Sequence, residues 1–312
     1  GWDGSNNEID LVTKTVEPRG DEKELAEITD LIGSYTTNFA SSSAGRAKNV
    51  ITGVSKVDGT ILYPGEEFDL AKTVSPFTQE NGYELAGAYQ NGTVVESFGG
   101  GICQVATTLY NAVIRAELEI TMRFNHSMLV HYVEPSMDAA IAGNYKDLKF
   151  KNNLDAPVYI EGYCSGGIIY FNVYGKETRP SNREISFESE TVSKTDPKVQ
   201  FTMDASLTAG SVSVTQSGQS GCIAQLWKIV KVDGKQQSRD LFNKSNYQAT
   251  PKLITIGTKD ATSETLSALK AAIAIGDEAK VRSAAADLKT NAQKKEEEQK
   301  EEEKKDDTDK KE

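Results

Sequence analysis

Three consecutive glycines, Gly99-Gly100-Gly101, run directly into Ile102-Cys103-Gln104 and a segment of helical periodicity, and this junction constrains the fold more than any other stretch. Glycine reaches backbone conformations that a Cβ forbids, so the triplet suits a sharp turn or a close backbone approach to a ligand. Beyond it Val105, Leu109, Ala112, Val113 and Ala116 recur at offsets of four, seven, eight and eleven, the apolar stripe of a core-facing helix. Cys103, Thr107 and Tyr110 fall on another face. A thiol at a helix N-terminus sits beside unpaired N–H groups and the positive end of the macrodipole, and both stabilise the nucleophilic thiolate. Free cysteine is also among the most buried residue types, so this spacing leaves packing and catalysis both open.

A chain of 312 residues has room for two domains with their own cores. The formal charge of −11 argues against nucleic acid as a partner, which would need a basic patch. The three cysteines, Cys103, Cys164 and Cys222, are too few for a disulfide scaffold, and the odd count leaves at least one free. A Cys164–Cys222 bridge and two buried thiols are both open readings. Neither paired-cysteine spacing nor a histidine-acid cluster appears, so no metal and no cofactor are expected. No apolar run approaches the roughly 20 residues of a membrane span. The first residues, Gly1-Trp2-Asp3, carry neither an initiator methionine nor a signal sequence, and lead us to expect a truncated ectodomain whose signal or anchor was removed.

Along the chain, residues 1–44 read as a polar segment with one short helix over Asp21–Ile32, followed by a Ser/Thr-rich link from Ser34 to Ser43. Residues 45–176 read as an α+β domain. Thr60–Leu70 and Ala88–Phe98 are expected as strands around turns at Pro64-Gly65 and Asn91-Gly92. The cysteine-bearing helix follows, packed on β-strands. Leu148–Lys151, Val158–Cys164 and Ile168–Tyr174 are further strands, the last two joined by a hairpin loop at Ser165-Gly166-Gly167. A polar linker over 177–183 leads to a small, elongated all-β domain over 184–259. Residues 260–293 read as two helices broken at Gly276-Asp277, with Ser263 as N-cap. From Lys294 to Glu312 the chain holds only Lys, Glu, Asp, Gln and Thr, and is expected to be disordered or at most a solvated helix.

From about Gly45 to Lys176 the sequence resembles the VanW-like domain of bacterial cell-envelope proteins. The matching segments are Arg46-Ala-Lys-Asn-Val-Ile51, Pro64-Gly-Glu-Glu-Phe68, Gly99-Gly-Gly-Ile-Cys-Gln-Val105, Thr107-Thr-Leu-Tyr-Asn-Ala112, Asn125-His-Ser127, Asp138-Ala-Ala-Ile141 and Leu148-Lys-Phe-Lys-Asn-Asn153. One departure is Ala106, where the family usually carries serine. The later block, with its glycines and a terminal Ile256-Gly-Thr-Lys259, resembles a G5 (five-glycine) domain. Such modules are suspected of binding N-acetylglucosamine-containing polymers; a passive spacer is the competing reading. Trp227 suits sugar stacking, but its spacing with Leu226, Ile229 and Val230 suits a core equally.

The resemblance implies an extracytoplasmic cell-wall role, and for some members L,D-transpeptidation. In that reaction a cysteine attacks the peptide bond after diaminopimelate in a tetrapeptide stem, releases D-alanine and passes the acyl group to a second stem. On this reading Cys103 is the nucleophile. The chain has two histidines, and His126, which lies in the family motif, is the expected base; His131 is a bystander, on the opposite face if the segment is a strand. Asp138 is a candidate to hold the His126 tautomer. Backbone N–H groups at Gly100, Gly101, Ile102 and Cys103 are expected to serve the oxyanion, and Thr107, Tyr110 and Arg123 to contact substrate, the arginine through stem-peptide carboxylates. Partners would be stem peptides, with glycan strands as a further candidate. The alternatives are a non-catalytic peptidoglycan-binding protein and a cysteine carboxypeptidase or hydrolase of the same stems.

Overall fold

The computed structural model describes residues 20–90, 93–143 and 145–309. The Asn91-Gly92 turn and nearly all of the 1–20 segment lie outside the described residues. Asp21 caps a single turn, α1 (Glu22–Leu25), its carboxylate accepting from the Glu24 N–H at 2.8 Å. The chain then extends as β1 (Asp30–Asn38), which corrects both the helix expected to reach Ile32 and the link expected from Ser34. Tyr35, Thr36 and Thr37 favour a strand because branched and aromatic side chains suit the pleated surface. Thr37 is buried without penalty, since its hydroxyl meets that of Thr108 at 2.7 Å.

After β1 come α2 (Ala44–Val57), β2 (Thr60–Leu62), β3 (Glu67–Asp69), α3 (Leu70–Val74), β4 (Leu85–Gln90), β5 (Thr93–Phe98), α4 (Ile102–Arg115), β6 (Glu119–Met122), β7 (Lys149–Lys151), β8 (Val158–Ser165) and β9 (Ile168–Gly175). The main sheet has the order β1-β9-β8-β2, all antiparallel. Because β1 runs along β9, the first domain includes residues expected to precede it. β4 and β5 form the expected hairpin, and β8 and β9 turn through Gly166 and Gly167, both at positive φ. β2 and β3 do not pair around Pro64-Gly65; they join β8 and β7.

α4 contains Cys103 as its second residue and packs on β1 and β9. It is not a one-sided surface helix: every residue from Gln104 to Ile114 is buried. Its apolar stripe enters the core with Val50, Val54, Ile160, Ile169 and Phe171. Its polar side, bearing Thr107, Tyr110 and Asn111, is covered by the loop after β6 and by the second domain.

The second domain comprises β10 (Arg183–Thr195), β11 (Val199–Asp204), β12 (Val212–Gln216), β13 (Gly221–Val232), β14 (Lys235–Tyr247) and β15 (Lys252–Gly257). They form two three-stranded sheets, β10-β13-β14 and β11-β15-β12, the latter with β11 and β15 parallel. The first strand already takes Arg183 from the expected linker. Two helices follow, α5 (Ser263–Ile275) and α6 (Glu278–Asp309), broken at Gly276 in the left-handed region. Thr262, not Ser263, is the N-cap, its hydroxyl accepting from the Thr265 N–H. Leu269, Val281, Ala285 and Leu288 pack on Ile254 and Ile256, so these helices complete the second domain's core. The tail, expected to be disordered or at most a solvated helix, continues α6 to Asp309, consistent with the high helix propensity of Glu, Lys and Gln.

Candidate active site

The glycine turn sets the site. Gly101 is the N-cap of α4 at φ +113°, and as glycine it offers no side-chain cap, so the helix N-terminus is left open to other groups. A Cβ on Gly100 would lie 2.6 Å from the Ala86 carbonyl of β4, a contact only glycine allows. Asn49 of α2 ties the turn down, donating to the carbonyls of Gly100 at 3.0 Å and Glu84 at 2.9 Å. The N–H groups of Gly100 and Ile102 donate to Ser97 and Gly99. Two expected oxyanion donors are thus spent inside the turn, because its carbonyls curl back on them. Among the described residues, the Gly101 and Cys103 N–H groups are the ones there with no such acceptor.

Residues 123–143 and 145–148, between β6 and β7, carry His126, His131 and Asp138 on irregular backbone, so the strand considered for His126 and His131 is not formed. Asp138 is 1% exposed and receives four donors. Oδ2 accepts from His126 Nδ1 and from the His126 backbone N–H, both at 2.7 Å. Oδ1 accepts from Arg123 Nη2 at 3.0 Å and from the Tyr247 hydroxyl at 2.5 Å. With Nδ1 committed to the carboxylate, Nε2 is the ring nitrogen left to hydrogen-bond Cys103. His131 is exposed and stands apart from this cluster.

Burial alone would lower the pKa of His126, but hydrogen bonds and charge from Asp138 and Cys103 outweigh it and raise the imidazole to about 9. For Cys103 burial pushes upward, and the hydrogen-bonded His126 cation pulls the thiol below its ordinary value. Burial likewise disfavours ionised Asp138, yet His126 and Arg123 hold its pKa below the usual carboxylate range. These shifts favour the imidazolium of His126 and the carboxylate of Asp138, and ease ionisation of the Cys103 thiol, which donates to the Ile141 carbonyl at 3.4 Å. A cleft of about 570 Å³ opens on Cys103 and His126, with Arg46 and Lys146 as its charged walls and Phe77, Phe98 and Met128 among its apolar ones.

Thr107, Tyr110 and Arg123, expected to face substrate, do not. Thr107 is fully buried, donating to the Ala139 carbonyl at 3.1 Å and accepting from its N–H at 3.0 Å. Tyr110 is 1% exposed, its hydroxyl accepting from Asn243 at 2.7 Å and its pKa pushed up to about 12 by burial. Arg123 is spent on Asp138, with Nε on the carbonyl at 2.7 Å and Nη2 on the carboxylate. All three lie beneath the loop, because the polar side of α4 is roofed over and not open to solvent.

Residues 45–174 match the family model described as VanW like protein, and residues 187–259 match that of the G5 domain. The chain carries a VanW-like domain followed by a G5 domain. The chain is 34% identical over 172 residues to the uncharacterized protein YoaR of Bacillus subtilis, covering 55% of this chain and 57% of that protein. It is 26% identical over 118 residues to the vancomycin B-type resistance protein VanW of Enterococcus faecalis, covering 36% of this chain and 42% of that one. The chain thus spans about half the length of these curated relatives. The IgA1 protease G5 domain structure aligns at 26% identity with a TM-score of 0.18, covering 25% of this chain and 94% of that one.

The VanW-like match begins at residue 45, so it omits β1, although Gln104 beside Cys103 donates to Thr37 and Asn38 of that strand at 3.1 and 2.9 Å. Ala106, the departure from the family pattern, is fully buried, so the missing hydroxyl would not have faced the cleft. Sequence reasoning missed Arg46, Tyr132 and Lys146 as cleft residues and Tyr247 as a partner of Asp138. Arg46 sat inside a quoted motif and was the one with a signal. Tyr247 lies 109 positions from Asp138 and in another domain, beyond any local pattern.

Proposed function

We propose that the VanW-like domain acts on the bacterial cell wall as a cysteine-dependent L,D-transpeptidase. The observation that carries this reading is His126, held on Asp138 at 2.7 Å and lowering the pKa of Cys103, with which it lines a cleft whose charged walls are cationic. A stem tetrapeptide ends in a carboxylate, which suits Arg46 and Lys146. The Cys103 sulfur attacks the carbonyl carbon of the third stem residue, and the Gly101 and Cys103 N–H groups meet the oxyanion. Collapse breaks the C–N bond; D-alanine leaves with the proton given by His126. An acceptor amine then attacks the thioester, its proton passes to His126, and the thiolate departs.

Mass spectrometry of disaccharide-tetrapeptide fragments incubated with the protein tests this. A cross-linked dimer lacking one D-alanine, absent with Cys103→Ala and reduced by about 10²- to 10⁴-fold with His126→Ala, is the expected result. Unlinked tripeptide would mean that water is the acceptor. No product, beside substrate that a control enzyme consumes, would overturn catalysis in favour of wall binding.

A further inference from the structure

β14 places Asn243, Ser245 and Tyr247 on one face by strand alternation, and that face is turned towards the VanW-like domain. Ser245 and Tyr247 are 2% exposed, while Lys244 and Asn246, which alternate with them, are exposed. This is a polar stripe buried at a domain junction, where an apolar stripe would cost less. Its partners explain the choice. Tyr247 donates to Asp138 Oδ1 at 2.5 Å and accepts from the Ser136 N–H at 2.7 Å. Ser245 accepts from Arg123 Nη1 at 3.0 Å, and Asn243 Oδ1 stands 3.4 Å from the same nitrogen. The same strand end grips the loop at its histidine, with the Gln248 N–H on Ser127 O at 2.7 Å and Asn125 Nδ2 on Asn246 O at 3.0 Å.

We propose that the G5 domain is a working part of the active site, with Tyr247 a positioning residue that holds Asp138 so that its Oδ2 faces His126. Both donors on Oδ1 depend on the G5 domain: Tyr247 belongs to it, and Arg123 is seated on it. A carboxylate pinned at Oδ1 presents Oδ2 to the imidazole in one orientation, which in turn aims Nε2 at Cys103. The inference rests on the catalytic reading above, but its test does not need turnover. A passive spacer or a pure sugar-binding module has no reason to bury a hydroxyl on the acid of another domain.

The groups facing this centre are Arg123, Tyr110 and Tyr247 around Asp138, Cys103 and Asp138 around His126, and Tyr132 near Cys103, with Cys222 on β13 and Arg46 on α2 further out. Tyr247 donates to ionised Asp138 and withdraws some of its charge. Removing that hydroxyl concentrates the charge on Oδ2, which strengthens its hold on the His126 proton while loosening the carboxylate's orientation.

The test uses the full chain, wild type and Tyr247→Phe, with Trp227→Phe as a distant G5 control. The chain's two histidines make His126 resolvable by NMR titration of the ring protons. We expect its pKa to rise by about half to one unit in Tyr247→Phe, and kcat for cross-linking to fall about tenfold with KM unchanged. Trp227→Phe should move neither. If Tyr247→Phe fails to fold, Ser245→Ala, which unseats Arg123, should give the same upward shift at smaller size. An unchanged or lowered His126 pKa in a folded variant overturns the inference. A Cys103 in wild type that is alkylated no faster than an ordinary thiol would instead sink the catalytic reading, a distinct outcome.

Discussion

At the residue scale, the three thiols of this chain are sorted by what surrounds them. Cys103 has a cation at its side, whereas Cys164 meets only desolvation, which pushes its thiol up to about 11, and buried Cys222 is raised for the same reason. Iodoacetamide at neutral pH should therefore label Cys103 at least about 100-fold faster than Cys164, read by peptide mass spectrometry, since each unit of thiol pKa is tenfold in thiolate. Equal labelling would remove the thiolate from the argument. Asp138→Asn should lower turnover by about 10²- to 10⁴-fold, by losing the tautomer and the imidazolium. The stability sign follows from the same shifts. His126, raised from 6.5 to about 9, contributes in full below pH 6.5, and its contribution is lost as pH rises through 9. Asp138, held low, contributes above its ordinary 3.8, and that is lost on acidification. His126→Ala should flatten thermal stability between pH 6.5 and 9, measured by melting temperature against pH.

At the element scale, the turn before α4 matters more than the helix itself. A Cβ at Gly100 would sit 2.6 Å from Ala86 O and 2.9 Å from Gly87 O, both backbone atoms that cannot swing aside. Gly100→Ala should cost about 1–3 kcal/mol and reduce turnover further, by moving the Gly101 and Cys103 donors. Gly166→Ala is the control: its φ is positive, at +59°, but nothing lies within 4 Å of the new methyl. Its cost should be the conformational strain alone, about 1–2 kcal/mol, with activity intact. Denaturant unfolding and cross-linking assays on the two variants separate a turn that merely folds from one that positions donors.

At the scale of the whole molecule, the two domains share more than a chain connection. Leu226 of β13 is counted in the same core as Val54 and Phe171, with Phe187 and Phe242 packed against it. Glu117, at φ +59° after α4, draws Arg183 and Lys228 from the second domain onto its carboxylate, with Arg179 at 3.6 Å. Burial opposes its charge, but Arg183 and Lys228 bring its pKa down to about 2. That contribution is present above the ordinary 4.5 and is lost as pH falls towards 2. Glu117→Gln should destabilise the chain by about 1–2 kcal/mol at neutral pH, discounted for partial exposure, and less below pH 4. Calorimetry should show the VanW-like and G5 domains melting together; two well-separated transitions would mean the junction is only a contact.

The sequence by itself determined the setting of Cys103, because three glycines, a cysteine and an apolar stripe are all local signals. It also determined the order of the two domains and the β8–β9 and β4–β5 pairings, each carried by alternation around a turn. β1 was not legible, since a Ser/Thr-rich run looks like a link until β9 lies beside it. The β2–β3 pairing failed for the same reason, as strand partners are chosen by the whole sheet. Thr107, Tyr110 and Arg123 carry polar groups suited to substrate; only the packing of a loop and a second domain over α4 turned them inward, to Ala139, Asn243 and Asp138 respectively. Which groups surround a carboxylate depends on contacts across more than a hundred residues, and that is a property of the tertiary structure alone.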